Sequence, residues 1–344
     1  MKFMMHDDIM VAGKVCTGGS KFLAGFKSPL SARVYEKCLA HDMEFEGFLT
    51  PDEFSIDNLF DEKDELDSAV VALTEGKCDV VLCNDVFGKL RRQAPANGLI
   101  YIHPSYGTVS RFGLMQGVAS MDQIGILCRN LEEGIEVLNV ISGHDVSDGT
   151  SLPAATYAYA AKADKAVKVV ADSKTFPVEI EAGNIEMKYA DCFAQIFYIL
   201  GSAEICNNTN RYDGVKFGYR AEDVNGINDL YVRSRTESFG RNLQLASIAG
   251  CMVLSKEYYD GLYNKSMQIR RLVKDYYTEI LDNADVIALP AKMDGATKYE
   301  QVALYALAPL CGFASVSMLY NNKPTQFICK RNGENAMFAL AQGK

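Results

Sequence analysis

The side chains with the most obvious chemistry are few and scattered. Ten Cys occur in 344 residues without a CxxC pair, and the four His, at positions 6, 41, 103 and 144, show no metal-ligand spacing. Thiols in this pattern read as small buried hydrophobes in a reducing compartment, not as a disulfide framework or a zinc site. No cofactor and no metal is expected. Cys83 closes an apolar run and could offer a thiolate, but no base is placed beside it, so core packing is its expected role. Gly18–Ser20 reads GGS, a glycine-rich turn of the kind found in phosphate loops, yet the downstream GK[ST] of such loops is missing.

The elements that must position any site alternate in type. Apolar runs predict strands at Phe45–Leu49, Asp79–Cys83, Val167–Ala171, Val178–Ala182, Val286–Leu289, Ala314–Leu319 and Gln326–Cys329. Between them, helical spacing predicts helices over Ser31–Ala40 with Ser31 as N-cap, Ser68–Thr74, Met187–Cys206 and Lys256–Leu281. Alternation of this kind is the mark of an α/β protein. With 48% hydrophobic residues the chain can bury a large core, and no repeat or Pro/Ser-rich linker divides it, so one domain over 1–344 is expected. A net charge of -9 excludes a broad electrostatic grip on nucleic acid or anionic lipid. The first ten residues are broken by His6, Asp7 and Asp8 and offer no signal-peptide core, and no other run approaches spanning length. A cytoplasmic protein follows.

Several ordered blocks carry a resemblance. They are HDDIMVAGKVCTGGSKFL (6–23), PDEFSI (51–56), YGTVSRFGLMQGVASMDQ (106–123), ISGHDVSDGTS (141–151), RYDGVKFGYRAED (211–223), SRTESFG (234–240), LSKEYYDGLY (254–263), ADVIALP (284–290) and GENAMFALA (333–341). Together the chain resembles the amidase-signature family, most closely its branch of glutamyl-tRNA(Gln)/aspartyl-tRNA(Asn) amidotransferase A subunits. The resemblance implies a mixed central β-sheet flanked by helices on both faces. It also implies a Ser, cis-Ser, Lys triad that hydrolyses amides; in that branch, this releases ammonia for a charged tRNA held by a partner protein.

Carried over position by position, the resemblance implies that these catalytic types are replaced. His6 stands where the family's KDNI segment has its Lys. CNDVFGKLR (83–91) replaces GSDTGGSIR: it keeps Asp85, Gly88 and Arg91, puts Phe87 at an oxyanion-loop glycine, and puts Lys89 in place of the nucleophilic Ser. A Lys has no hydroxyl to acylate. Glu65 falls at the cis-Ser by ungapped counting, or Ser68 with a small gap, within LFDEKDELDS (59–68), which lacks the glycines of the family's loop and is expected to form a solvated turn. Arg235 is retained to face an amino-acid carboxylate, together with Asp85 and Gly88 as ligand-binding positions, while the acidic partner expected near 302 is Val302. The helical region that precedes KDNI in the family is expected to be absent and the stretch from Val167 to Tyr212 shortened.

The expectation is therefore an amidase-like chain, catalytically degenerate, that works as a non-hydrolytic binding or partner subunit. Its partners would be another protein or a second copy, with a small amide or amino acid as ligand. Lys89 is expected to fill the former pocket and pair with Asp85, Glu65 or Asp7. The rival reading is a divergent enzyme acting on amide C–N bonds, with Lys89 and His6 as a new catalytic pair.

Overall fold

The computed structural model of the protein describes residues 1–57, 65–153, 157–178 and 180–343. Ten strands form one mixed sheet: β1 (Lys2–His6), β2 (Glu44–Leu49), β3 (Val80–Asn84), β4 (Ile100–His103), β5 (Ile124–Cys128), β6 (Val169–Ala171), β7 (Gly183–Asn184), β8 (Val286–Pro290), β9 (Ala314–Tyr320) and β10 (Lys323–Cys329). Their order is β2-β1-β3-β5-β4-β9-β10-β8-β6-β7. β1 runs parallel to both β2 and β3, the central pairs from β3 to β8 are antiparallel, and β8, β6 and β7 are parallel again.

Alternate residues of the central strands enter different cores. Phe3, Met5, Val80, Leu82, Ile126, Val286 and Phe327 join one cluster with α1 (Arg33–Ala40), α4 (Leu131–Ile141) and α10 (Glu334–Gln342). On the opposite face, Val81, Cys83 and Leu127 pack with α2 (Ser68–Thr74) and α3 (Lys89–Ala96). Ile287, Leu289 and Ile328 there meet α5 (Phe193–Thr209), α7 (Arg241–Val253), α8 (Lys265–Asn283) and α9 (Lys298–Cys311). The helix α6 (Gly226–Ser238) completes the set. Strands covered on both faces read as continuous apolar runs, because both side-chain sets must be buried. The α/β architecture with helices on both faces is thus the one expected.

Several elements differ from expectation. The apolar runs do not predict β1, β4 or β5; IYIH and IGILC are buried at every position and too short to show a period. Ser31 does not cap α1. Ala32 does, with no side-chain bond, and Ser31 Oγ accepts instead from Ala12 N at 3.0 Å. The helix expected from Met187 begins at Phe193 after a 3-10 turn at Ala190–Cys192. The one expected from Lys256 begins at Lys265, after a π-helical turn over Tyr259–Asn264. The strand expected over Val178–Ala182 includes residue 179, which lies outside the described residues; the flanking positions are not strand, and β7 forms just beyond them. No helix among the described residues is long and apolar enough to cross a membrane.

Helices α5 and α7 approach closely at Gly250, where an added Cβ would lie 2.1 Å from Ser202 O and 2.5 Å from Cys206 Cβ. Backbone cannot yield there as a side-chain tip could. Gly250→Val should lower unfolding free energy by about 1–3 kcal/mol or more through overpacking, read as a drop of the thermal midpoint relative to a Gly261→Ala control, whose site is open.

Candidate functional site

The turn from β3 into α3 is fixed by Asp85. Its Oδ1 accepts from Gly88 N at 3.0 Å, and its Oδ2 from Arg91 N at 3.0 Å and Arg91 Nε at 3.1 Å. Arg91 is fully buried and donates onward to Tyr305 O at 2.7 Å and Val86 O at 2.7 Å. Gly88 holds φ +94°, and a Cβ there would meet the Tyr305 ring at 2.4 Å. Asp85 and Gly88 therefore act within the turn: a carboxylate satisfies orphan N–H groups at the helix start, and glycine allows the close approach. Phe87 turns away and packs among Phe197, 5.0 Å between centroids, and Tyr198, 5.7 Å.

Lys89 opens α3, where a cation is disfavoured by the helix dipole. Its Nζ lies 2.7 Å from Asp52 Oδ2 and 3.7 Å from Asp67 Oδ2. The expected partners differ: Asp85 is held by Arg91, Glu65 is exposed, and Asp7 Oδ2 accepts from Thr17 N at 3.0 Å and Thr17 Oγ1 at 2.5 Å. The decisive carboxylate is Asp67. It caps α2 by accepting from Ala69 N at 2.9 Å, and the same Oδ1 lies 2.9 Å from His6 Nε2 at the end of β1. Further out, Asp57 sits 3.1 Å from Lys298 Nζ and 3.8 Å from Arg92 Nη1.

Burial and charge compete throughout this cluster. Burial alone would push the Asp67 carboxyl up, but the charges of His6 and Lys89 and the His6 hydrogen bond outweigh it and hold it at about 2. Burial would lower His6 and Lys89 too, yet Asp67 and the neighbouring carboxylates raise both above their ordinary values. Asp8 is pushed up to about 6, chiefly by burial, although Ser55 Oγ donates to it at 2.6 Å. His6 Nδ1 and Asp8 Oδ1 are buried without a hydrogen-bond partner among the described residues.

The cavity lined by His6, Asp52, Ser55, Asp67 and Lys89 holds only about 10 Å³. That is room for one water at most. A protonated Lys89 is neither nucleophile nor base, and a substrate amide could not reach Ser55. Among the other candidates, Cys83 is fully buried and its thiol is pushed well up by burial, which makes it inert. Burial also drives His103 well below its ordinary value, beside Gln123.

Glu65 and Ser68 are not brought into the cavity. Among the described residues Glu65 contributes its carbonyl, to Gln93 Nε2 at 3.0 Å, and Ser68 Oγ donates to Thr50 O at 2.7 Å. Of the expected acidic turn over 59–68, residues 59–64 lie outside the described residues, and Asp67, at its end, is buried rather than solvated. Arg235 lines a separate cavity of about 360 Å³, donating to Thr209 O at 2.8 Å, with its guanidinium 4.7 Å from the Phe239 ring centre. Val302 is fully buried in α9. Sequence reasoning missed Asp67 and Asp52; the signal for the first was an Asp directly before a predicted helix, which is an N-cap pattern.

The amidase family model matches residues 68–180 and 177–331, more than half the chain. The chain belongs to the amidase family. It is 33% identical over 334 residues to the A subunit of glutamyl-tRNA(Gln) amidotransferase from Campylobacter curvus, covering 86% of this chain and 73% of that one. Against the protein of the same name from Chlorobaculum parvum it is 31% identical over 330 residues, covering 84% and 69%. In fold it is similar to the crystal structure of the A subunit of glutamyl-tRNA(Gln) amidotransferase from Thermotoga maritima, with a TM-score of 0.75 and 22% identity over 99% of this chain and 82% of that one. A peptide amidase in complex with the inhibitor chymostatin gives a TM-score of 0.73 at 17% identity, again over 99% and 82%. This amidase-family chain is thus similar to amidotransferase A subunits along most of its length.

Asp67→Asn tests the buried network, because it leaves His6 and Lys89 with less negative charge. Removing one partner of a buried ion pair costs about 3 kcal/mol or more, so urea unfolding at about pH 6 should shift to a markedly lower midpoint. The depressed Asp67 gives stability that is complete above its unfolded value near about 4 and lost as pH falls towards about 2. The raised His6 gives stability that is complete below its unfolded value near about 6.5 and lost as pH rises through its folded value. The wild-type chain should therefore weaken on both sides, and the variant should show a flatter profile on both. An equal midpoint at every pH would show that the pair contributes nothing.

Proposed function

We propose that this chain is a non-hydrolytic member of the amidase family that serves as a binding or partner subunit. The observation that carries the reading is Lys89, whose ammonium sits between Asp52 and Asp67 in a cavity of about 10 Å³. By the family resemblance the nucleophilic Ser would correspond to Lys89, the Lys to His6 and the cis-Ser to Glu65, or to Ser68 with a small gap, so at least the nucleophile and the Lys are of another type here. A triad needs a hydroxyl within reach of a base and donors aimed at the developing oxyanion. Here the position carries a cation raised above its ordinary value, and Phe87 occupies the loop beside it.

The partner half of the reading rests on the relatives, which by name are subunits of an amidotransferase. All ten cysteines are free, as suits a cytoplasmic setting. A divergent amide-cleaving enzyme would need an open pocket with room for a substrate, and the space around Lys89 argues against it.

Incubated with glutamine, asparagine and simple aliphatic amides, the purified chain should release no ammonia above the buffer control, and a fluorophosphonate probe should label no serine. Robust turnover that is lost in Lys89→Met, in a variant that keeps its circular dichroism spectrum, would overturn the proposal and favour the divergent enzyme. Labelling of Ser55 or Ser68 would do the same.

A further inference from the structure

Away from the closed cavity, a cleft of about 690 Å³ opens between α8 and the segment that follows β10. Arg270, Arg271 and Lys274 line it from α8, and Lys330 and Arg331 from the opposite side. Among the described residues no Asp or Glu lines it. In a chain of net charge -9 this is a local reversal of sign. Like charges gathered on a concave, low-dielectric wall focus a positive potential into the space they enclose.

The five cations are not equivalent. Arg270 is a fixture: Nε donates to Leu310 O at 2.8 Å and Nη1 to Ser120 Oγ at 2.8 Å, tying α8 to the end of α9. Arg271 pairs with Asp275 at 2.8 Å and Lys330 pairs with Asp282, but neither carboxylate lines the cleft. Lys274 and Arg331 are exposed, on opposite walls, and make no ion pair among the described residues. The apolar lining is chiefly the exposed side chain of Met267, beside the buried Leu310 and Phe313.

We propose that this cleft binds a small phosphorylated organic molecule, with its phosphoryl groups held between Lys274 and Arg331 and its apolar part against Met267. Lysine serves phosphate as a point charge and arginine as a two-pronged donor. The volume is that of a small-molecule site. The cleft is distinct from the Lys89 cavity, so the inference stands whether or not the chain hydrolyses amides.

Isothermal titration with ATP, with inorganic tripolyphosphate and with citrate, all without divalent metal, decides the matter. ATP and tripolyphosphate should bind at about 20 mM salt and weaken steeply at about 200 mM, as ionic contacts are screened. Lys274→Glu and Arg331→Glu should each weaken binding by about tenfold or more, which is about 1.4 kcal/mol, while thermal midpoints stay unchanged. No binding of either phosphate compound, or binding untouched by both reversals, would overturn the proposal. So would citrate binding as tightly as ATP, which would deny selection for phosphoryl groups, or an RNA oligomer binding where ATP and tripolyphosphate do not.

Discussion

Asp67 joins three elements through one carboxylate. Its Oδ1 accepts from His6 at the end of β1 and from Ala69 N at the start of α2, while Oδ2 faces Lys89 at the start of α3. Each contact answers a problem posed by another. A cation in the first turn of a helix opposes the helix dipole, and a carboxylate buried this deeply would be costly alone. Together the charges compensate, and the low dielectric that makes an unpaired charge expensive makes the paired set strong. Among the described residues His6 is the member with an unanswered atom, Nδ1, which marks it as the weaker corner of the arrangement.

Beneath this cluster lies the turn from β3 into α3, whose rigidity does not depend on it. Asp85, Gly88 and Arg91 form a second, self-contained lock, and Tyr305 of α9 closes it from above through its ring and its carbonyl. The lock fixes the strand–turn–helix path from β3 into α3. The residues seated on that path are free to differ in chemistry. Shape and reactivity are thus held by different sets of side chains, which is why family membership does not by itself specify an activity.

The architecture was legible where apolar runs alternate with helical spacing, as at Phe45–Leu49, Val286–Leu289 and Ser68–Thr74. It was hidden at β4 and β5, because IYIH and IGILC are short, buried at every position and so without a period, and interrupted by Tyr, His or Gly, and at the start of α8, because a π turn continues the helical pattern upstream. The cluster was legible in part. Lys89 and His6 stand out by type, but Lys89's partner Asp52 is 37 residues away and His6's partner Asp67 is 61 residues away. No local spacing encodes such contacts. Glu65 and Ser68 bracket the right residue from either side; helix capping is what turns Asp67 inward and leaves Glu65 in solvent.

The close approach of Asp52 and Asp67 around one ammonium has a consequence for how this chain can vary. Replacing Lys89 by any neutral residue leaves two carboxylates in a space that admits one water at most, so the change is penalised until Asp67 or Asp52 changes as well. Replacing Asp67 first strands His6 and weakens the cap of α2. Either of these two steps taken first is uphill although the combined step need not be. Positions 6, 52, 67 and 89 should therefore drift as a set across descendants of this chain, and a hydroxyl at position 89 is separated from the present sequence by a barrier of several linked substitutions rather than by one codon.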